Sequence, residues 1–95
     1  EETKTSQLER WRMQIDSVDQ QLIELLGKRF EIARKIATYK KDHNLAPFQL
    51  KRWRQIIETR KMQAEVVGID PQFLMRLLQS IHKESIAIQN QIMNR

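Results

Sequence analysis

The chain has no cysteine, only two histidines, two glycines and two prolines in 95 residues. Without cysteine there are no disulfides, no zinc ribbon and no thiol nucleophile. His43 and His82 are too few to build a histidine metal site. Scarce glycine and proline leave few places to turn, a composition suited to helices rather than to sheets or linkers. Apolar runs of a few residues are too short to span a membrane, so no membrane partner is expected. The opening Glu1-Glu2-Thr3-Lys4 is polar and has no signal-peptide character, which makes the cytoplasm the default location. Against these absences stands a surplus of cations: 17 Lys and Arg face 12 Asp and Glu, a formal charge of +5. At this length the chain is one domain near the lower limit of independent folding, and its charge asks which anion it serves.

Punctuation divides the chain into three helices, at about 6–43, 48–67 and 71–93. Ser6-Gln7-Leu8-Glu9 has the form of a capping box, with Ser6 as cap and Glu9 reaching back to it. Pro47 disfavours helix at Ala46 and marks the first connection. Gly68-Ile69-Asp70-Pro71 closes the second helix and opens the third, with Gly68 past one end, Asp70 as N-cap and Pro71 at the first helical position.

The first helix carries a heptad pattern. Leu8, Ile15, Leu22 and Ile36 share one seam position, and Trp11, Val18, Leu25, Ile32 and Tyr39 the other. Its length is about 57 Å at 1.5 Å per residue. A compact chain of this size is roughly 32 Å across, so the stripe needs another surface, most simply a second copy. After Ile23 the stripe widens to Leu26, Phe30, Ala33 and Ala37, as expected where further helices pack, and Gly27 and the alanines admit close approach. The expected architecture is all-α, with three helices per chain in an intertwined homodimer.

Polar residues interrupt these apolar faces. Arg29 occupies the seam position of Leu8 and Ile15. A guanidinium in a helical interface needs an anion, either a glutamate across the seam or a ligand. On the third helix, Ser85 falls on the stripe of Leu74, Leu77, Leu78, Ile81, Ile88 and Ile92, with Gln89 one turn on. Side chains at i and i+4 project toward one region, and buried polar groups need partners. Arg12 and Lys40 flank the first seam. Lys40 is about 16 Å from Arg29 along the helix, within joint reach of a small ligand. Arg12 is about 25 Å away in the other direction, and reaches such a site only from the partner of an antiparallel dimer. Taken singly, Arg12 and Lys40 also fit ordinary snorkelling at a helix interface.

Arg12-Met13-Gln14-Ile15-Asp16-Ser17-Val18-Asp19, Leu25-Leu26-Gly27-Lys28-Arg29, Lys40 and Glu84-Ser85 with Gln89 together resemble the all-helical class of chorismate mutases. The resemblance spans about residues 8–93, and the joint spacing of Arg12, Arg29, Lys40, Arg52, Ser85 and Gln89 carries it. It implies an intertwined dimer that converts chorismate to prephenate on the way to phenylalanine and tyrosine. It implies that Arg29 and the Arg12 contributed by the partner chain hold the substrate carboxylates, that Ser85 assists one of them, and that Lys40 and Gln89 donate to the ether oxygen. Arg52 matches the arginine bordering the pocket. A pericyclic rearrangement needs no metal, cofactor or nucleophile, in keeping with the residue inventory. It needs the substrate held in a reactive pose and the charge growing on the ether oxygen met by fixed donors.

Two positions depart from the family pattern. Trp53 follows Arg52 where an acid commonly meets the substrate hydroxyl, and Gln49 stands where an aspartate is usual. Trp53 also fits the apolar face of the second helix with Leu50, Ile56 and Ile57. The missing acid leaves open an isochorismate-pyruvate lyase of the same fold, although Ser85 favours the mutase. The segment from Lys40 to Gln49, and an aromatic at Trp53, resemble mutase modules fused to a DAHP synthase, which makes that enzyme a further expected partner. A regulatory prephenate-binding module is the alternative of another class. A nucleic-acid adaptor using Lys51, Arg52, Arg54, Arg60 and Lys61 is disfavoured, because Glu58 and Glu65 interleave with the cations and no recognition motif accompanies them. Mutual repulsion of the site cations predicts a mobile Lys41–Lys51 segment without ligand.

Overall fold

The computed structural model describes residues 4–95. Among them three helices follow in order: α1 over Lys4–Asp42, α2 over Leu50–Val67 and α3 over Pro71–Met93. The expected all-α class and helix order hold. The ends differ where local chemistry competes. α1 is helical from Lys4, so Ser6 lies within its first turn rather than capping it, a scatter usual at helix ends. Glu9 turns forward, its Oε1 accepting from Arg12 Nη1 at 3.0 Å. α2 starts at Leu50, not at Phe48, because Gln49 is extended (φ −126°, ψ 110°) and makes no side-chain capping bond.

The turn between α2 and α3 follows its sequence signals closely. Gly68 adopts φ 76°, the left-handed conformation that costs glycine least. Its N–H donates to Glu65 O at 3.3 Å and that of Ile69 to Ala64 O at 2.9 Å, satisfying carbonyls that the helix end leaves open. The Asp70 side chain then accepts from the Gln72 N–H at 3.2 Å, with Pro71 at the first position of α3.

The chain divides into two compact units, Glu1–Ile32 and Ala33–Arg95, with α1 supplying the first and opening the second. Among the described residues of the first unit none is buried, and Leu26, Arg29 and Phe30 are half-buried. The interior of the second unit is small. It consists of Ala33 and Ala37 from α1, Ile56 and Ala64 from α2, and Ser85 and Gln89 from α3. The alanines therefore sit where close approach was expected, whereas a side chain at Gly27 would meet nothing within 4 Å. Every apolar heptad residue of α1 is exposed, from Leu8 at 43% to Val18 and Leu25 at 60%. Among the described residues no helix is long and apolar enough to cross a membrane.

Candidate active site

Two of the six buried residues among those described are polar, and they are the pair singled out on α3. Ser85 is 6% and Gln89 5% exposed. Their i, i+4 spacing lets Gln89 Nε2 donate to Ser85 Oγ at 3.4 Å. The Gln89 carbonyl faces the other way, and its Oε1 accepts from Lys40 Nζ at 2.8 Å. Lys40 comes from the last turn of α1 and is also anchored on the first connection, where it donates to the Pro47 carbonyl at 2.6 Å. The Leu45 N–H returns to Lys40 O at 2.8 Å, with Asn44 at φ 56°, which draws the connection back over the end of α1.

This line of groups is rich in unspent donors. An ammonium has three hydrogens, and Lys40 commits two. A primary amide has two, and Gln89 commits one to Ser85. Ser85 acts as an acceptor in that bond and keeps its own proton to donate. Among the described residues, both hydrogen-bond partners of Lys40 are neutral oxygens and no carboxylate pairs with its positive charge. Burial pushes the Lys40 ammonium below its usual 10.5. Partial desolvation disfavours the charged form of such a cation unless an anion meets it.

The structure therefore joins Lys40, Gln89 and Ser85, three of the six expected site residues, within the second unit. The arginines are placed differently. Arg12 is exposed on α1 and engaged with Glu9 at 3.0 Å, an ion pair within one helix turn. Arg29 is half-buried in the first unit, and Arg52 is exposed in the first turn of α2. Within the second unit, Arg52 makes no hydrogen bond to the Lys40–Gln89–Ser85 line among the described residues.

Next to Arg52, Trp53 is half-buried and stacks on His82 of α3, ring centroids 4.3 Å apart and 23° from parallel. Phe48 meets the same imidazole edge-on at 5.7 Å and 67°. Trp53 thus belongs to an aromatic cluster centred on His82 as well as to the inner face of α2, where Ile56 is buried and Ile57 half-buried. Leu50, expected on that face, is 50% exposed. Two participants escaped the sequence reading: the Pro47 carbonyl, which any residue type would supply, and His82. The only sequence signal for His82 is its place one helical turn before Ser85.

Residues 11–90 match the model of the family described as chorismate mutase type II. The T-protein of Haemophilus influenzae is 32% identical over 80 residues, 84% of this chain and 21% of that protein. The T-protein of Enterobacter agglomerans is 32% identical over 79 residues, 83% of this chain and 21% of its own length. The chain thus spans about a fifth of the length of these two curated relatives. The 4-amino-4-deoxychorismate mutase of Streptomyces venezuelae is 27% identical over 93 residues, 98% of this chain and 90% of that protein. With the family model covering most of its length, including Lys40, Ser85 and Gln89, the chain belongs to the type II chorismate mutase family.

Proposed function

We propose that the chain is a chorismate mutase, an isomerase that rearranges chorismate to prephenate by a pericyclic [3,3] shift. The observation that carries the reading is the Lys40–Gln89–Ser85 line, a cation with only neutral partners linked to two buried donors. In the rearrangement the C–O bond of the enolpyruvyl ether breaks while a C–C bond forms across the ring. Negative charge grows on the ether oxygen as this happens. The remaining hydrogens of Lys40 and Gln89 serve that oxygen, while Ser85 assists a carboxylate. Their geometry is fixed before the substrate arrives, so little reorganisation is needed in the transition state. Arg29 and the partner's Arg12 hold the two carboxylates, and Arg52 borders the pocket. Bidentate guanidinium contacts fold the flexible arm over the ring.

The composite site requires a homodimer. The exposed heptad residues of α1 support one, since an apolar stripe of that length is stabilised by burial against a second copy. Association with a DAHP synthase rests on the resemblance around residues 40–49 and at Trp53. The T-proteins, in which the matching segment forms about a fifth of the chain, are consistent with such a module working inside a longer protein.

The absence of an acid at Gln49 and Trp53 bears on the substrate. The name of the Streptomyces venezuelae relative gives a substrate with an amine in place of the ring hydroxyl. A protonated amine would face Arg29, Lys40 and Arg52 with no carboxylate at either position, whereas a neutral hydroxyl carries no such charge penalty. The same absence is the feature that favours an isochorismate-pyruvate lyase as the second reading. Separate incubation with chorismate, isochorismate and 4-amino-4-deoxychorismate, with the products identified, decides among them. Prephenate from chorismate is the expected result. Pyruvate from isochorismate without prephenate from chorismate would assign the lyase. Turnover of the amino compound alone would assign the relative's activity, and prephenate binding without any turnover would assign a regulatory module.

A further inference from the structure

His82 has no role in the rearrangement proposed above, yet it occupies a particular place. Its imidazole is stacked on Trp53 and met edge-on by Phe48, so one ring of α3 touches both ends of the 48–53 segment. Phe48 directly follows Pro47, whose carbonyl holds Lys40 Nζ at 2.6 Å. Trp53 directly follows Arg52, and His82 itself stands one helical turn before buried Ser85. A side-chain N-cap satisfies one of the open N–H groups in a helix's first turn. α2 lacks one, because Gln49 makes no capping bond and uses its Nε2 on Ala46 O at 3.5 Å instead. The ring contacts of His82 with Phe48 and Trp53 tie the start of α2 to α3.

We infer that His82 is a positioning residue: through Phe48 and Trp53 it fixes the connection that carries the Pro47 carbonyl, and so sets the place of the Lys40 ammonium. The observations behind it are the ring contacts with Phe48 and Trp53. The kinetic half of the inference rests on the chorismate mutase reading, and the structural half does not.

His82→Ala and His82→Phe separate the alternatives. Removing both aromatic contacts should lower kcat about ten-fold and leave KM within about three-fold, since Lys40 serves the transition state more than binding. Amide exchange should rise at residues 48–53 and stay unchanged in the middle of α3. In a Trp11→Phe background the remaining tryptophan, Trp53, should change its emission when the imidazole is lost. His82→Phe should restore all three readouts, because it returns a ring to both contacts. An unchanged kcat in His82→Ala, or a His82→Phe variant as impaired as His82→Ala, would overturn the inference. So would exchange that rises evenly along the chain, which is the mark of a general packing loss. If His82→Ala does not fold, Phe48→Leu removes the edge contact alone and should lower kcat about three-fold with raised exchange confined to the same segment; no change in either would count against the inference. A wild-type chain inert toward chorismate would refute the proposed function, and the exchange and emission of the two His82 variants would still decide the positioning role.

Discussion

Lys40→Met separates a catalytic cation from a structural one. Methionine keeps most of the stem volume and removes only the ammonium. Two hydrogen bonds disappear, to Pro47 O and to Gln89 Oε1, and the second leaves a carbonyl on a side chain that is 5% exposed. An unsatisfied buried acceptor costs about 1–3 kcal/mol. The loss is offset because burial already disfavours the charged form of Lys40, as its lowered pKa records. Stability should therefore fall by about 1–2 kcal/mol, within the ordinary cost of one unmet acceptor. Catalysis should fall much further. Removing one preorganised donor to a developing oxyanion costs about 2.7–4 kcal/mol, or 10²–10³ in kcat. Chorismate absorbance decay and chemical denaturation of the same preparations give both numbers. Activity within about three-fold of wild type would be far below the loss of a transition-state donor and would refute the role of Lys40. The sign of the pKa shift adds a second test. The folded chain releases the Lys40 proton at a lower pH than the unfolded chain does, so this group's contribution to stability rises with pH through the window below 10.5. Activity should fall through the same window as the donor loses its charge. Lys40→Arg, if it still turns over, should lack that alkaline limb because arginine stays protonated; a limb that persists would assign the titration to another group.

Arg29→Ala should lower kcat/KM by at least about 10³ while helical circular dichroism is retained, since it removes a bidentate carboxylate contact; retained activity would make Arg29 an interface ion-pair residue. Mixing inactive Arg12→Ala with inactive Arg29→Ala should restore activity once subunits exchange, because one of the two sites in the mixed dimer is intact. No recovery despite proven exchange would place Arg12 outside the partner's site. Asp70→Ala should destabilise the chain by about 1 kcal/mol through loss of the α3 cap, leaving kcat unchanged; a fall in kcat would link that turn to the site. Amide exchange in residues 41–51 should slow when prephenate is added; equal exchange with and without it would argue against cation repulsion loosening the segment.

The turn into α3 was readable because Gly68, Asp70 and Pro71 each solve a local problem in backbone chemistry, and each does so here. The start of α2 was less readable. Pro47 forbids helix behind it, but nothing in its chemistry says how many residues beyond it stay extended. Ser85 and Gln89 stood out because polar side chains on an apolar stripe need partners, and they have them. Lys40 was located by its flanking position on α1, but its anchorage was not, since one of its acceptors is a main-chain carbonyl. The His82 cluster joins residues from two helices and a connection, and no periodicity in the sequence relates Phe48, Trp53 and His82.

Proton NMR of chorismate incubated with the purified chain in the presence of a chelator shows whether these side chains alone rearrange it. Prephenate is the expected product, at a rate far above the uncatalysed reaction and lost in Lys40→Met. Chorismate consumed no faster than in buffer, or a product other than prephenate, would contradict the proposed function.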